Sequence, residues 1–255
     1  CDPREESNAS LSRLMIGAEP PALEHRAVHV GDTVLRVEGL SLPRADQFGV
    51  DLVDLQFEVR AGEVVGIAGV SGNGQKEMLY ALSGEDQRAQ PAMVQVAGQS
   101  AGHLDPRQRR RLGLHFVPEE RLGRGAVPSM GLAHNLLLTR NDAVGGGGWI
   151  RMGVLQAQAQ AIIGRFGVKA GGPHAAAQSL SGGNLQKYIV GREISAQPRL
   201  LIVSQPTWGV DVGAAQQIRS EILALRDAGC AVLVLSEELE ELFDISDRMH
   251  VMAKG

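Results

Sequence analysis

Residues 63–82 read EVVGIAGVSGNGQKEMLYAL, in which a dense apolar run passes through a glycine-rich turn into a segment with helical spacing. The apolar run predicts a buried strand over residues 63–70, and the spacing that follows predicts a helix over residues 75–82. A strand, a glycine loop and a helix in this order form a phosphate-binding unit, because the loop amides and the helix N-terminus both attract an anion. We therefore expect a phosphate-binding loop over residues 69–76.

This loop keeps the glycines of the pattern G-x4-G-K-[ST] but lacks the two functional side chains of that pattern. Gln75 stands at the lysine position, and Lys76 stands at the position of the hydroxyl that binds Mg2+. A unit charge about 4 Å from a phosphate corresponds to about 4 kcal/mol at an effective dielectric of about 20. A tight strand-to-helix turn that binds nothing is the alternative for this segment taken alone. The candidate nucleotide-binding residues are Gly69, Ser71, Gly72, Asn73, Gly74, Gln75 and Lys76.

The sequence on both sides of this unit alternates strand-like and helix-like segments. Strands are predicted over residues 33–37, 52–59, 114–117, 200–203 and 231–235, and helices over residues 155–166, 184–194 and 213–226. Strands that alternate with helices predict an α/β fold with a largely parallel sheet.

Composition excludes several classes of protein. The chain has 255 residues, 44% of them hydrophobic, and a formal net charge of −4, so we expect a packed core and no nucleic-acid partner. Two cysteines cannot form a disulfide framework, which is typical of a reducing compartment. No apolar run approaches the roughly 20 residues that span a bilayer. Because the chain begins with Cys1 and stops just after a strand-like run, we expect it to be a fragment, truncated at its C-terminus.

A second glycine-containing segment, LSGGNLQK over residues 180–187, opens a predicted helix with a hydroxyl and two glycines. Such a helix N-terminus is suited to holding a terminal phosphate presented from outside. The alternative for this segment alone is an ordinary serine N-cap followed by a glycine pair. The candidate residues are Ser181, Gly182, Gly183, Asn184 and Gln186, with Asp211 in the later segment SQPTWGVDVGA over residues 204–214.

With GVSGNGQKE, VPEERLGRG, LSGGNLQK, SQPTWGVDVGA and LSEELEELFDISDR in one order, the chain resembles an ABC-type ATPase domain. More narrowly, it resembles the second nucleotide-binding domain of the tandem ATPases of simple-sugar and nucleoside importers. The resemblance covers about residues 33–255. It implies a P-loop α/β fold with a mainly parallel core sheet, an antiparallel β subdomain and a helical subdomain at about residues 105–180. Residues 1–30 would be an inter-domain linker, and residues 31–255 the nucleotide-binding domain.

The departures from the family pattern lie in one pocket. The resemblance places Ser204 at the Mg2+-binding carboxylate and Gln205 at the carboxylate that activates water. Glu237 stands at the histidine of the switch segment, and Glu119 at the glutamine of the Q-loop. An amide cannot act as a general base, and extra carboxylates repel a phosphate. We therefore expect no catalytic residue in this pocket.

The resemblance makes LSGGNLQK at residues 180–187 the signature segment of the family. This signature segment and the D-loop Asp211 are intact, and in the family they serve the opposite pocket of a head-to-tail pair. The resemblance thus implies an importer ATPase subunit for a nucleoside or a simple sugar, with ATP as its cofactor. Mg2+ is expected in the partner site and is doubtful in this domain's own site. Expected partners are the first nucleotide-binding domain of the same chain, membrane permease subunits and a solute-binding protein, at the cytoplasmic side of the cell membrane. The alternative is a regulatory module that binds nucleotide without hydrolysing it.

One aromatic residue and two charged runs could each have a special function, but simpler explanations are preferred for all three. Phe48 lies about where the family has an aromatic that stacks on adenine, but a core or edge aromatic is the preferred interpretation. The arginine run at residues 107–111 and the acidic run at residues 237–247 are each interpreted as solvated helix faces. The arginine run contains no aromatic residue that would favour nucleic acid, and the acidic run contains no His or Cys ligand that would favour a metal site.

Overall fold

The computed structural model describes residues 30–140, 145, 146 and 149–255. The linker predicted over residues 1–30 lies outside the described residues except for Val30. The strands are β1 (Thr33–Leu42), β2 (Leu52–Arg60), β3 (Val64–Ala68), β4 (Val94–Val96), β5 (Gln99–Ser100), β6 (Leu114–Val117), β7 (Gly145–Gly146), β8 (Trp149–Ile150), β9 (Leu200–Ser204), β10 (Ala231–Leu235) and β11 (Arg248–Val251). The helices are α1 (Gln75–Ser83), α2 (Pro106–Arg111), α3 (Leu132–Leu138), α4 (Met152–Arg165), α5 (Gly182–Ser195), α6 (Val212–Asp227) and α7 (Leu239–Ile245).

A five-stranded parallel sheet forms the centre of the fold, with the strand order β11-β3-β10-β9-β6. Every residue of β3, β9 and β10 is buried, and successive residues along each strand point to different hydrophobic clusters. In β10, for example, Val232 and Val234 face one cluster while Leu233 and Leu235 face the other. A strand covered on both faces has an apolar side chain at every position, and this is why these three segments were predictable as strands.

The two hydrophobic clusters lie on opposite faces of this sheet. On one face, α1 and the antiparallel sheet β2-β1-β4-β5 supply buried residues that include Leu35, Leu40 and Leu82. On the other face, α4, α5 and α6 supply residues such as Phe166 and Tyr188. Burying one such side chain contributes about 1.5–3 kcal/mol, so both layers hold the sheet firmly. The α/β fold with a parallel core sheet, an antiparallel sheet and helices is confirmed.

The helical region packs in the cluster on the face of the sheet that α4, α5 and α6 cover. Helix α4 packs against α3 and α5, and the Tyr188 hydroxyl of α5 donates a hydrogen bond of 2.7 Å to the Leu132 carbonyl of α3. Residues 114–117, inside the span of about 105–180 predicted as a helical subdomain, form strand β6 of the parallel sheet. The described helices include none whose length and hydropathy would let it cross a membrane.

Candidate functional site

The candidate site lies at the carboxyl ends of the parallel strands. The phosphate-binding loop follows β3, Glu119 follows β6, Gln205 follows β9 and Glu237 follows β10. Because parallel strands end at the same edge of a sheet, the fold brings these four segments together. This edge is the usual position of a ligand site in α/β proteins. The phosphate-binding loop and the positions Glu119, Gln205 and Glu237, which together we call the first pocket, all lie on it.

The loop after β3 is partly occupied by its own Gln75 side chain. The Gln75 Oε1 atom accepts a hydrogen bond of 3.0 Å from the backbone N–H of Asn73, and Gln75 Nε2 donates one of 3.0 Å to the Val70 carbonyl. The Asn73 carboxamide also donates to the Val70 carbonyl, at 2.8 Å. A loop amide that could bind a phosphate is therefore bound to the carboxamide of Gln75. A phosphate bound at that amide would have to displace Gln75.

Two carboxylates stand near the loop. Loss of hydration at Glu119, together with the charges of Glu120 and Glu237, holds the pKa of Glu119 above its usual range, and Lys76 and Arg124 partly oppose this rise. Glu119, Glu237 and Lys76 are all exposed. Lys76 lies 5.6 Å from the centre of the Tyr80 ring. The Lys76 charge therefore lies among carboxylates beside the loop.

The residues that end β9 form a bridge to the segment after β10. Ser204 is buried and pairs in register with Leu235. Gln205 has a left-handed backbone with φ of 50°, and its Oε1 atom accepts hydrogen bonds from the Glu237 N–H at 3.3 Å and the Ser236 hydroxyl at 3.5 Å. A carboxamide bound in this way orients the switch segment, and it offers no proton-accepting group to a water molecule.

The signature segment starts helix α5 as predicted, and its serine is not used as a side-chain cap. Ser181 is the N-cap residue by its backbone, yet its hydroxyl accepts no hydrogen bond from the helix amides. Instead the Asn184 side chain donates to the Ser181 hydroxyl oxygen at 2.8 Å and accepts from the Lys169 N–H at 2.8 Å. Ser181 and Gly182 are exposed. The Ser181 hydroxyl and the first residue of α5 therefore lie at a surface that an anion can reach.

Sequence reasoning did not single out Arg121, which joins three segments of the site. Its Nε atom donates a hydrogen bond of 3.0 Å to Gln186 Oε1, and its guanidinium donates to the Trp208 carbonyl and lies 5.4 Å from the Trp208 ring centre. A Cβ atom at Gly182 would lie 2.6 Å from Arg121 Nη1, so only glycine fits there without displacing the arginine. Desolvation lowers the pKa of Arg121. No motif or spacing in the sequence indicated this contact.

Gln186 of the signature segment completes the junction. It is buried, and its Nε2 atom donates to the carbonyls of Pro206 at 3.0 Å and Gln205 at 3.3 Å. Arg121 and Gln186 together therefore fasten the start of α5 to the loop between β9 and α6. Arg121, which follows Glu120, is thereby bound both to the signature segment and to the loop that carries Asp211.

The remaining candidate residues have simpler surroundings. Asp211 is the N-cap of α6, and its carboxylate accepts from the Ala214 N–H at 2.9 Å. Phe48 is 88% exposed, which rules out a core position, whereas an edge position stays compatible with the structure. Its loop is fastened to α1 because the neighbouring Val50 N–H donates to Glu77 at 3.1 Å. Phe48 therefore stands near the helix that follows the phosphate-binding loop, and a role in adenine stacking stays a prediction.

The arginine run at residues 107–111 and the acidic run at residues 237–247 were both predicted to be solvated helix faces. Each run contains a buried residue, so each prediction was wrong at that residue. Arg109 of α2 is fully buried and donates to the carbonyls of Leu82 and Gly102 at 2.7 and 3.0 Å. Glu241 of α7 is buried and accepts hydrogen bonds from Thr207 at 2.6 Å and Ser236 at 2.7 Å. Burial raises the pKa of Glu241, and these hydrogen bonds partly oppose that rise.

The chain matches known proteins over nearly its whole length. The family model described as ABC transporter matches residues 52–208. A glucose import ATP-binding protein, TsgD13 of Haloferax volcanii, is 41% identical over 98% of this chain and 46% of its own length. The guanosine import ATP-binding protein NupO of Bacillus subtilis is 37% identical over 100% of this chain and 50% of its own length. The chain spans about half the length of these curated relatives.

Solved structures show the same fold at low sequence identity. An ATP-binding subunit of an ABC transporter superposes with a TM-score of 0.71 and 20% identity, covering 88% of this chain and 87% of the other. A dimeric ATP-binding cassette bound to ADP and Pi superposes with a TM-score of 0.71 and 18% identity, covering 87% and 95%. At these identities the likeness concerns the fold.

Proposed function

Because this chain belongs to the ABC transporter ATPase family, we propose that it is the second ATP-binding half of an importer ATPase whose first half hydrolyses ATP. In this proposal, the chain's own phosphate-binding loop is a degenerate site, and its signature segment completes the ATP site of the partner half. The observation that carries the proposal is the contrast between the two segments. Gln75 binds the loop amide of Asn73, whereas the Ser181 hydroxyl and the N-terminus of α5 remain exposed.

The chemistry of the first pocket supports its degenerate state. Where the family pattern has a hydroxyl and a carboxylate that hold Mg2+, this chain has the cation Lys76 and the buried Ser204, whose hydroxyl carries no charge. The carboxylates of Glu119 and Glu237 instead add negative charge close to where the phosphates of a nucleotide would lie. These residues do not fit Mg-ATP, so we assign no step of hydrolysis to them.

The signature side supports binding in trans. The N-terminus of a helix carries about half a positive charge, and in α5 the exposed Gly182 and the Ser181 hydroxyl lie at that end. Arg121 and Gln186 hold this end against the loop of Asp211, which fixes its orientation. A γ-phosphate presented by a partner domain would meet a preorganised set of donors.

A cleft beside the segment after β6 supports a permease partner. It lies between Arg124, Val127 and the half-exposed Leu138, and Arg124 pairs there with Glu120 at 3.0 Å and with Glu85. An apolar patch with a charged rim is typical of a protein interface. We propose that a permease segment docks here at the cytoplasmic face of the cell membrane. The transported solute would be a nucleoside or a simple sugar, delivered by a solute-binding protein.

ATP turnover by the protein that contains both halves tests this proposal. Ser181→Arg or Gly183→Asp should abolish turnover, because each places a bulky or anionic group where the γ-phosphate would bind. Gln75→Ala should leave turnover near that of the parent. If the signature variants hydrolyse ATP as fast as the parent, the role in trans is wrong. If Gln75→Ala abolishes turnover, the loop is not degenerate.

A further inference from the structure

A second recess, distant in the fold from the phosphate-binding loop, lies at the opposite end of the parallel strands. It has a volume of about 860 Å³ and lies between the ends of α2, α3 and α5 and one side of α4. Gly113 and Arg199, which line it, directly precede β6 and β9. The nucleotide-related segments follow the carboxyl ends of the same strands. The recess is therefore a separate site. We call it the arginine cavity, after Arg110, Arg111, Arg140, Arg165, Arg192 and Arg199 in its wall.

The wall of the arginine cavity carries guanidinium groups but, over the described residues, no Asp or Glu. Two carboxylates behind it neutralise part of this charge. Glu193 is fully buried and binds both Arg110 at 2.8 Å and Arg192 at 2.7 Å. Glu221 pairs with Arg165. Although burial opposes the ionisation of Glu193, the two arginines and a hydrogen bond from His115 hold its pKa below the usual range. Two arginines thus share one carboxylate.

Arg111 and Arg199 add charge that these pairs do not balance. Both are exposed, and neither forms an ion pair with any residue in the described ranges. Helix dipoles favour cations in a last turn, which accounts for Arg111 at the end of α2. Arg199 lies beyond α5, in the turn that leads into β9, and has no such explanation.

Gly113 holds Arg199 in place. Gly113 has a left-handed backbone with φ of 92°, and a Cβ atom there would lie 2.9–3.1 Å from Cβ, Cγ and Cδ of Arg199. The Arg199 N–H also donates to the Gly113 carbonyl at 3.0 Å. The stem of Arg199 therefore lies along the backbone at residue 113, in the wall of the cavity.

We propose that the arginine cavity binds a small metabolite that carries two or more phosphoryl groups. Guanidinium forks match phosphate oxygens in bidentate geometry, and of the six arginines that line this cavity Arg111 and Arg199 form no ion pair with any described residue. Its volume falls within the range of small-molecule sites, roughly 300–1,000 Å³. Leu112, Leu136 and Ile162 supply apolar surface for a carbon skeleton. No Phe, Tyr or Trp lines the described wall, so stacked bases of a nucleic acid lack their usual platform.

Titration calorimetry of the 255-residue chain with inorganic tripolyphosphate tests the proposal. The double variant Arg111→Gln/Arg199→Gln should weaken binding by about tenfold or more, because it removes two charge-assisted contacts. The matched control is Arg44→Gln/Arg107→Gln, which removes two exposed arginines outside the cavity. It should change the affinity for tripolyphosphate by less than about twofold, because salt screens charges that are far from the ligand. The variant Arg111→Lys/Arg199→Lys keeps the charge and should retain part of the affinity.

The outcomes separate the proposal from its alternatives. Absence of tripolyphosphate binding, or binding that Arg111→Gln/Arg199→Gln leaves unchanged, overturns it, and the latter would place the anion at the phosphate-binding loop. Equal losses in the control variant would mean that the chain binds through general surface charge, which also overturns it. Citrate provides the comparison with carboxylates. Tighter binding of citrate than of tripolyphosphate would overturn the assignment to phosphoryl groups.

Discussion

The state of the phosphate-binding loop predicts how one substitution changes nucleotide affinity. Gln75→Lys removes the carboxamide that binds the Asn73 amide at 3.0 Å and restores the charge that the loop pattern requires. Freeing one neutral hydrogen bond contributes about 1 kcal/mol. The full charge term is about 4 kcal/mol at an effective dielectric of about 20, and solvent screening at this half-exposed position reduces it to about 1 kcal/mol. The sum of about 2 kcal/mol corresponds to an affinity for ATP about 30-fold higher.

The assay is titration calorimetry of the chain with ATP in the absence of Mg2+. Gln75→Met separates the two contributions, because it removes the hydrogen bond and adds no charge, and it should raise affinity by only about fivefold. Gln87→Lys adds the same charge in the exposed segment beyond the C-terminal end of α1 and should have almost no effect. The reasoning is refuted if Gln75→Lys binds ATP no better than the parent. It is also refuted if Gln75→Met matches Gln75→Lys, since the charge would then contribute nothing.

Three further substitutions have expected outcomes that unfolding or turnover measurements can check. Glu193→Gln should lower the free energy of unfolding by about 3–5 kcal/mol, because the buried Arg192 and the half-buried Arg110 lose their shared carboxylate. The folded-state pKa of Glu193 is lowered, so urea titrations should show this deficit above the unfolded pKa of about 4.5 and show it shrinking at more acidic pH. No change in the deficit on acidification would contradict the lowered pKa. Arg109→Met should cost about 2–4 kcal/mol in the same titration, because it leaves buried carbonyls without donors, and a loss below about 0.5 kcal/mol would mean that water replaces the guanidinium. Arg121→Leu should reduce ATP turnover of the two-half protein by about tenfold, because it releases Gln186 from its fixed position, and turnover equal to that of the parent would show that Arg121 does not orient the signature segment.

The secondary structure was predictable where burial leaves a simple pattern. Strands β6 and β10 match their predicted bounds, and β9 extends one residue beyond its prediction. All residues of these strands are buried, and apolar residues fill every position except His115 in β6 and Ser204 at the end of β9. Helix α5 begins two residues before its prediction, because the two glycines of the signature segment already belong to its first turn.

The charged residues with structural roles were not predictable, because their partners are far away in sequence. Arg109 lies in a run that has the composition of a solvated face, yet it binds carbonyls at the end of α1 and in the turn at residue 102. Glu241 lies in an acidic run but contacts Thr207, 34 residues away. The sequence indicated only that Gln75 replaces the charged lysine of the loop pattern. Its hydrogen bond to the Asn73 amide depends on the conformation of the folded loop.

The effect of Mg2+ on ATP binding by the unmodified 255-residue chain tests the asymmetry between the two sites. The loop supplies Lys76 in place of the metal-binding hydroxyl, and Glu119 and Glu237 lie near it. Calorimetry should therefore give the same weak affinity for ATP in Mg2+ and in EDTA. An affinity that Mg2+ raises by about tenfold or more, equivalent to about 1.4 kcal/mol, would contradict a degenerate pocket and would make this chain a nucleotide-binding site in its own right.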